Sequence, residues 1–504
     1  MGQAIFSASI VITSAIVLIH QRILRLTWLD PVVIATLGFL CSGIFLLSHF
    51  VVYIHGGTYD STFLPTTTMY FIVAILAWHV GGLTGWWFAR RGPRPATAPL
   101  AGDPDRRPIP LWLDDSPLFV TFLYGFSILF IAVSMFDLLD AVSALKSFTL
   151  TALRKLAILD TMKGNQDFQP ESALKAILRS GFLLWTTTVI VRWSLNRRVS
   201  IASIIVFFWG SLSIMLSGLS TGKRSGIALM VALFGLSFWL AKAVARASAY
   251  PHGCSFQVAL PTLRLRRAWS FAAAALAVLY ALFVVFPMAR NPNAIYAAEK
   301  FLNLTHPARF GPPVYWLAEN AGIPQAPVAA YGLAYFTHGL VKAAYFLEKP
   351  TILPPKQHGF YNGKAIIRLI SLIEPKLYQK WENIRIQLAA AFARNNMSTN
   401  PWKSLIGDLI LDFDPSITIF MIFIISLSSE YLFRIFLNMR SIKFFPIAVF
   451  LSLFSLSAPF FGGFVNNFIM YPIILWIAIF FLNDVCLEAI GRRRSFRGRP
   501  YSRQ

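Results

Sequence analysis

Runs of about twenty apolar residues, long enough to cross roughly 30 Å of hydrocarbon as helices, recur along the whole chain. They lie near residues 4 to 19, 32 to 54, 69 to 89, 117 to 136, 172 to 191, 200 to 219, 225 to 241, 269 to 288, 415 to 433, 444 to 460 and 464 to 483. Eleven such runs predict an all-α, polytopic integral membrane protein with about 11 transmembrane helices. The first run is short, but its N-region has no positive charge and no clear cleavage site follows. It therefore reads as an anchor rather than a removed signal peptide.

The polar connections set the orientation. Every second short connection is rich in Lys and Arg: Arg22 with Arg25, Arg90 to Arg107, Arg192 to Arg198, Lys242 to Arg267, Arg434 to Lys443, and the tail from Arg492 to Arg499. The short connections near 55 to 68 and 461 to 467 carry neither residue. By the positive-inside rule the C-terminus is cytoplasmic and, with an odd number of spans, the N-terminus lies outside. The organisation that follows is a membrane bundle of eight spans over 1–288, a large extracytoplasmic helical loop over 289–404, three further spans over 405–485, and a basic cytoplasmic tail over 486–504. Within the first bundle, 137–171 carries an apolar helical stripe (Leu138, Val142, Leu145, Ala152, Leu156, Leu159) that suits a helix in the headgroup plane.

Composition agrees with a membrane setting: 56% of the 504 residues are hydrophobic and 13% charged, with a mean hydropathy of +0.60. The net charge of +23 sits in membrane-flanking connections and not on a soluble module, so no nucleic-acid partner is expected. Cys41, Cys254 and Cys486 share no oxidising side, which argues against a structural disulfide.

The large loop is the part that suggests chemistry. Residues 289–404 hold thirteen Lys or Arg against five Asp or Glu, with His306, His338 and His358. Ala326 to Leu347 is apolar enough to pass for a twelfth span, but a lone extra crossing would invert the charge pattern downstream. It is expected to be a re-entrant or surface helix buried against protein, with His338 and Lys342 on it. Leu372 to Arg394 reads as another helix, broken at Asn395-Asn396.

Several chemistries lack their sequence signatures. There is no GxxxxGK[ST], HExxH or CxxC, so ATP use and zinc hydrolysis have no support. No cofactor and no metal is expected. A cationic face over a wide helical bundle suits a lipid-linked phosphate or diphosphate.

The turn Thr221-Gly222-Lys223-Arg224-Ser225-Gly226, between two apolar helices, resembles the Gly-x-Arg turn of bacterial O-antigen and exopolysaccharide repeat-unit polymerases of the Wzy type. Arg290, in Phe286-Pro287-Met288-Ala289-Arg290, resembles a second arginine of that family. Thr399-Asn400-Pro401-Trp402, followed by Asp408 and Leu411-Asp412-Phe413-Asp414, is similar to its Thr…Asp-Phe-Gly stretch, with Asp414 where glycine is usual. The matched residues number under twenty, in an order and on a side that fit the spans.

The resemblance implies a glycosyltransferase of the bacterial inner (cytoplasmic) membrane. It would move a growing glycan from undecaprenyl diphosphate to a sugar hydroxyl of the next carrier-linked repeat unit, in the lipid bilayer and with a chain-length regulator protein as a further partner. Lys223, Arg224 and Arg290 would hold the diphosphate. His338 would be the base for the acceptor hydroxyl, with Asp408 and Asp412 as alternatives. Arg224 and Arg290 also suit interfacial anchoring, and Asp412 and Asp414 also suit the start of the next helix. An O-antigen-type ligase and a lipid-linked sugar transporter or flippase are the competing functions.

Overall fold

The computed structural model describes residues 2–24, 26–53, 63–91, 117–147, 170–194, 199–220, 225–248, 280–285, 288, 294–305, 308–353, 355–395, 404–439, 442–460 and 469–482. The described chain is helical apart from one two-stranded ribbon. Four of its helices carry stretches long and apolar enough to cross a membrane: Gly2–Ile23, Pro65–Arg91, Ala173–Ser194 and Pro415–Phe436. Six shorter apolar helices join them at Pro31–Leu47, Phe119–Met135, Ile201–Ser217, Ile227–Lys242, Phe445–Ser457 and Ile469–Leu482. The molecule is a helical membrane protein. The span expected at 269 to 288 lies mostly outside the described residues, which there include a single π-helical turn at Ala281–Val285.

In chain order the first apolar helices are α1 (Gly2–Ile23), α2 (Pro31–Leu47), α3 (Pro65–Arg91), α4 (Pro117–Ser147), α5 (Pro170–Ser194), α6 (Ile201–Ser220) and α7 (Ser225–Ser248). Helix α4 runs on to Ser147, into the segment expected to lie in the headgroup plane; residues 148–169 are outside the described set. Helices α8 (Ala294–Thr305), α9 (Pro312–Glu319), α10 (Ala326–Glu348), α11 (Lys364–Ile370), α12 (Lys376–Arg394) and α13 (Leu405–Asp412) form the layer between the bundle halves. The chain closes with α14 (Pro415–Met439), α15 (Phe445–Ser457) and α16 (Ile469–Leu482). Helix α12 begins later than its apolar pattern suggests because Pro375 marks the boundary.

Helices α3 and α14 approach each other closely, and small residues make it possible. A Cβ on Gly81 would lie 2.3 Å from the Phe423 carbonyl oxygen, and one on Gly85 would lie 2.3 Å from that of Leu427. Glycine at i and i+4 thus lets two backbones touch, the packing that drives helix association where lipid supplies no hydrophobic force. Ser426 Oγ donates to the Trp78 carbonyl at 2.6 Å across the same seam.

A buried ion network extends this seam to α2. Arg434 on α14 donates to Glu430 at 2.8 Å and to Asp30, ahead of α2, at 2.5 Å. Asp30 also accepts from the Thr27 backbone at 2.6 Å and from its hydroxyl at 2.9 Å. All three charges are buried, which is tolerable only because they satisfy one another.

Extended backbone ends the second run early. Helix α2 stops at Leu47, and Val51–Tyr53 (β1) pairs antiparallel with Ala308–Phe310 (β2), Val52 opposite Arg309. Gln3 on α1 fastens this ribbon: its Nε2 donates to the Leu46 and Val51 carbonyls at 3.2 and 3.0 Å, and its Oε1 accepts from the Tyr53 N–H at 3.3 Å. Gly311 follows β2 where a Cβ would fall 1.7 Å from the His49 carbonyl oxygen, so only glycine fits there.

Gly81→Val and Gly85→Val are each expected to separate α3 from α14, at an overpacking cost of about 1–3 kcal/mol or more. Yield of monodisperse protein after detergent extraction and its thermal midpoint would record this. Wild-type values for both variants would show that the seam does not govern folding.

Candidate functional site

Helix α10 is the centre of the layer. It packs on α8, α9, α13, the bundle helix α2 and strand β1. This 23-residue helix is apolar, with most of its C-terminal half buried, and so lies against protein as its sequence suggests. Its face toward β1 carries polar groups. The Tyr53 hydroxyl shares a 2.6 Å hydrogen bond with Thr337 Oγ1 and donates to the Ala334 carbonyl at 3.1 Å. The His338 ring lies roughly parallel to that of Tyr53, centroids 6.4 Å apart.

One turn on, Lys342 is 2% exposed and His338 5%. The Lys342 ammonium sits over the Phe392 ring of α12, 4.1 Å from its centroid, a cation–π contact that gains strength when desolvated. A lysine and a histidine placed so deep cost free energy that a purely structural helix of Leu and Ala would not incur.

Helix α13, which carries Asp408 and Asp412, packs on α10. Ser404 caps it, its Oγ accepting from the Gly407 N–H at 3.3 Å, and Pro415 then opens α14. Asp412 has a defined task. Its carboxylate oxygens accept the Tyr361 N–H at 3.0 Å and the Asn362 N–H at 2.7 Å, while its carbonyl accepts from the His358 N–H at 3.0 Å. The turn it holds is sharp, with His358 and Gly359 at φ of 50° and 93°.

Asn362 Nδ2 donates to the Asp408 carbonyl at 2.8 Å and Lys356 Nζ to that of Ile410 at 2.6 Å, so loop and helix are laced together. Burial raises the Asp412 carboxyl above its ordinary range, against the lowering effect of its backbone donors. Burial likewise lowers the Lys356 ammonium, opposed by Asp414 and Asp412.

The wall continues through aromatic residues. Trp381 donates to the Tyr361 carbonyl at 3.0 Å and stacks on its ring at 6.0 Å. Lys364 lies 4.8 Å from the Trp381 ring centroid and Arg368 6.0 Å from that of Tyr378. Arg385 grips Glu382 with Nε 2.9 Å from both carboxylate oxygens.

The structure thus gathers His338, Asp408 and Asp412 on two packed helices. Lys223, Arg224 and Arg290 lie outside the described residues, as do His306 and Thr399 to Trp402. Among the described residues no three His, Cys, Asp or Glu side chains gather as metal ligands. Sequence reasoning passed over Arg179 of α5, which lies within electrostatic reach of Arg368 and Tyr471. The signal available was an arginine inside an apolar run, one turn after Lys175. Comparison with family models, curated proteins and solved structures gives no match.

Asp412→Ala would leave two backbone N–H groups without their acceptor, a loss of about 1–3 kcal/mol for each buried donor. Thermal unfolding of the purified chain should show a lowered midpoint, at most partly restored in Asp412→Asn, which keeps one acceptor oxygen but turns an NH2 donor toward the other backbone N–H. An Asp412→Ala protein as stable as wild type would mean the turn is held by other contacts.

Proposed function

We propose that this chain is a membrane glycosyltransferase that joins undecaprenyl-diphosphate-linked oligosaccharide repeat units into a polysaccharide on the extracytoplasmic face of a bacterial inner membrane. The observation that carries the reading is the burial of His338 and Lys342, one turn apart on an apolar helix that packs on the helix bearing Asp408. The Wzy-type resemblance of the Thr221 to Gly226 turn and of Arg290 supports the same reading, which takes these ionisable groups to lie at the membrane edge on the outer side. The eleven-span topology, with the N-terminus outside, is part of the same proposal.

In the reaction, the acceptor sugar hydroxyl attacks the anomeric carbon of the donor glycan. The bond from that carbon to the diphosphate oxygen breaks, and the carrier diphosphate departs with the bonding electron pair. Lys223, Arg224 and Arg290 stabilise the charge that grows on it, an electrostatic contribution worth most in a water-poor site. Arginine suits this task because its planar fork engages two phosphate oxygens at once. The hydroxyl proton passes to His338 or Asp408, and a positioned base of this kind contributes roughly 100- to 10,000-fold. Asp412 stays in the proposal as a further acceptor, although its carboxylate also orders the 358–362 turn.

Arg224→Ala and Arg290→Ala are each expected to abolish polymer formation by the full chain reconstituted with carrier-linked repeat units, at unchanged protein level. Arg224→Lys should rescue poorly if forked hydrogen bonding matters, and His338→Ala should slow turnover by about 100-fold or more. Undiminished polymer from Arg224→Ala would remove the diphosphate clamp. Undiminished polymer from His338→Ala would transfer the base to an aspartate.

A further inference from the structure

Helix α11 is short, and its exposed side is apolar. Ile366 and Ile370, one turn apart, are 51% and 45% exposed, and Ile373, on the same line, is 89% exposed. The Ser371 N–H donates to the Ile367 carbonyl at 2.8 Å and the Glu374 N–H to that of Ile370 at 3.0 Å. The helical course thus continues past Ile370 and keeps the three side chains on one ridge. The flanks of the ridge are buried or half-buried, with Ala365 and Leu369 on one side and Ile367 and Ser371 on the other. Leu372 adds a fourth exposed apolar side chain. So much contiguous apolar surface marks a place of contact.

The position of the helix decides what the ridge meets. Its Ala365 flank packs on Ala176 of α5 and Tyr471 of α16, with Leu369, Met470 and Ile474 against the same cluster. Ala176 lies within the stretch Ala173–Ser194, which is long and apolar enough to cross a membrane. At the rise of a helix it sits about 4.5 Å inside the end of that stretch. Tyr471 and Ile474 likewise lie within the apolar helix Ile469–Leu482. Helix α11 is therefore level with the ends of two apolar helices and not stacked beyond them. Leu174, half a turn before Ala176, is 52% exposed, so the outward apolar surface of α5 reaches the same level. Residues 364–380 carry four Lys or Arg against the carboxylate of Glu374. That balance suits phosphate headgroups, toward which long cationic side chains extend from an apolar surface.

We propose that α11 is an in-plane membrane helix whose Ile366, Ile370 and Ile373 insert among the acyl chains of the leaflet on the side of the loop layer. The partner is the bilayer itself, and the contact sets the height of the candidate site above it. Helix α11 begins two residues after Asn362, whose N–H is held by Asp412 at 2.7 Å. The leaflet contact and the turn ordered by Asp412 thus share one short stretch of chain. The proposal rests on the membrane setting of the apolar helices and on no step of glycan transfer.

The test uses the full chain in phosphatidylcholine nanodiscs, with Cys41, Cys254 and Cys486 replaced by serine and a bimane thiol label at Ile366→Cys, Ile370→Cys or Ile373→Cys. Met69→Cys, at an exposed position near the start of α3, is the lipid reference, and the free dye is the water reference. Quenching by 5-doxyl phosphatidylcholine at the three ridge positions should come within about 2-fold of that at Met69→Cys, and quenching by iodide should fall about 3-fold or more below that of the free dye, as expected of side chains at the headgroup–acyl boundary. Iodide quenching at the free-dye level without doxyl quenching would put the ridge in water and overturn the proposal. Shielding from both quenchers would mean that protein covers the ridge, a second copy or residues 148–169, and would overturn it as well. The three positions report separately, so a variant that fails to fold leaves two to decide. No glycan enters the assay, so its failure leaves the polymerase reading standing, and failure of that reading leaves the leaflet contact standing.

Discussion

The contact between Gly81, Gly85 and the backbone of α14 is the constraint on which the rest of the fold depends. Two helices packed with the glycine face of one on the backbone carbonyls of the other cannot slide or rotate without opening a gap that lipid would have to fill, and the glycines leave no side chain to take up slack. The seam therefore fixes α14 along its length, and α14 positions both of its own ends. At one end Arg434 reaches Asp30 while Glu430, which it also grips, accepts from the Val32 N–H, and together they hold the start of α2. At the other, three residues before Pro415, Asp412 gathers the 358–362 turn. Errors in the seam would be felt at both.

From this anchor the candidate site is built outward by progressively softer connections. Helix α13 hands its register to α10 by packing, and α10 is held from the opposite side by Tyr53 of the ribbon and by the Lys342 contact with Phe392. The Gln3 amide joins α1, the end of α2 and the ribbon in one network, so the first helix also contributes to placing His338. Buried polar contacts in such a setting fix a unique arrangement because a half-made network costs more than none.

Much of this was legible in the sequence, and the reason is geometric. Twenty-residue apolar runs declare helices by length alone, and the same criterion, combined with charge bookkeeping, marked Ala326 to Leu347 as a helix buried against protein. The aspartates before Pro415 were legible as groups at a helix junction, though not that Asp412 would hold a turn fifty residues upstream. The ribbon was not legible, because three-residue strands carry no usable periodicity and Val51 to Tyr53 continue an apolar run. Gly81 and Gly85 gave no warning either, since glycine is common in membrane helices and its partner lies more than 300 residues away in sequence. The packing of Ala176, Ala365 and Tyr471 from three distant segments is created by the fold, and no local pattern foretells it.

The central claim is that the layer over this bundle lengthens lipid-linked glycans, and the most direct measurement is the lipid-linked and surface glycan of a strain deleted for this chain. A single repeat unit in place of long chains, restored to long chains by the intact protein, is the predicted result. Full-length polymer stranded on the carrier lipid would contradict it in favour of a ligase, and carrier-linked units accumulating inside with no glycan outside would contradict it in favour of a flippase.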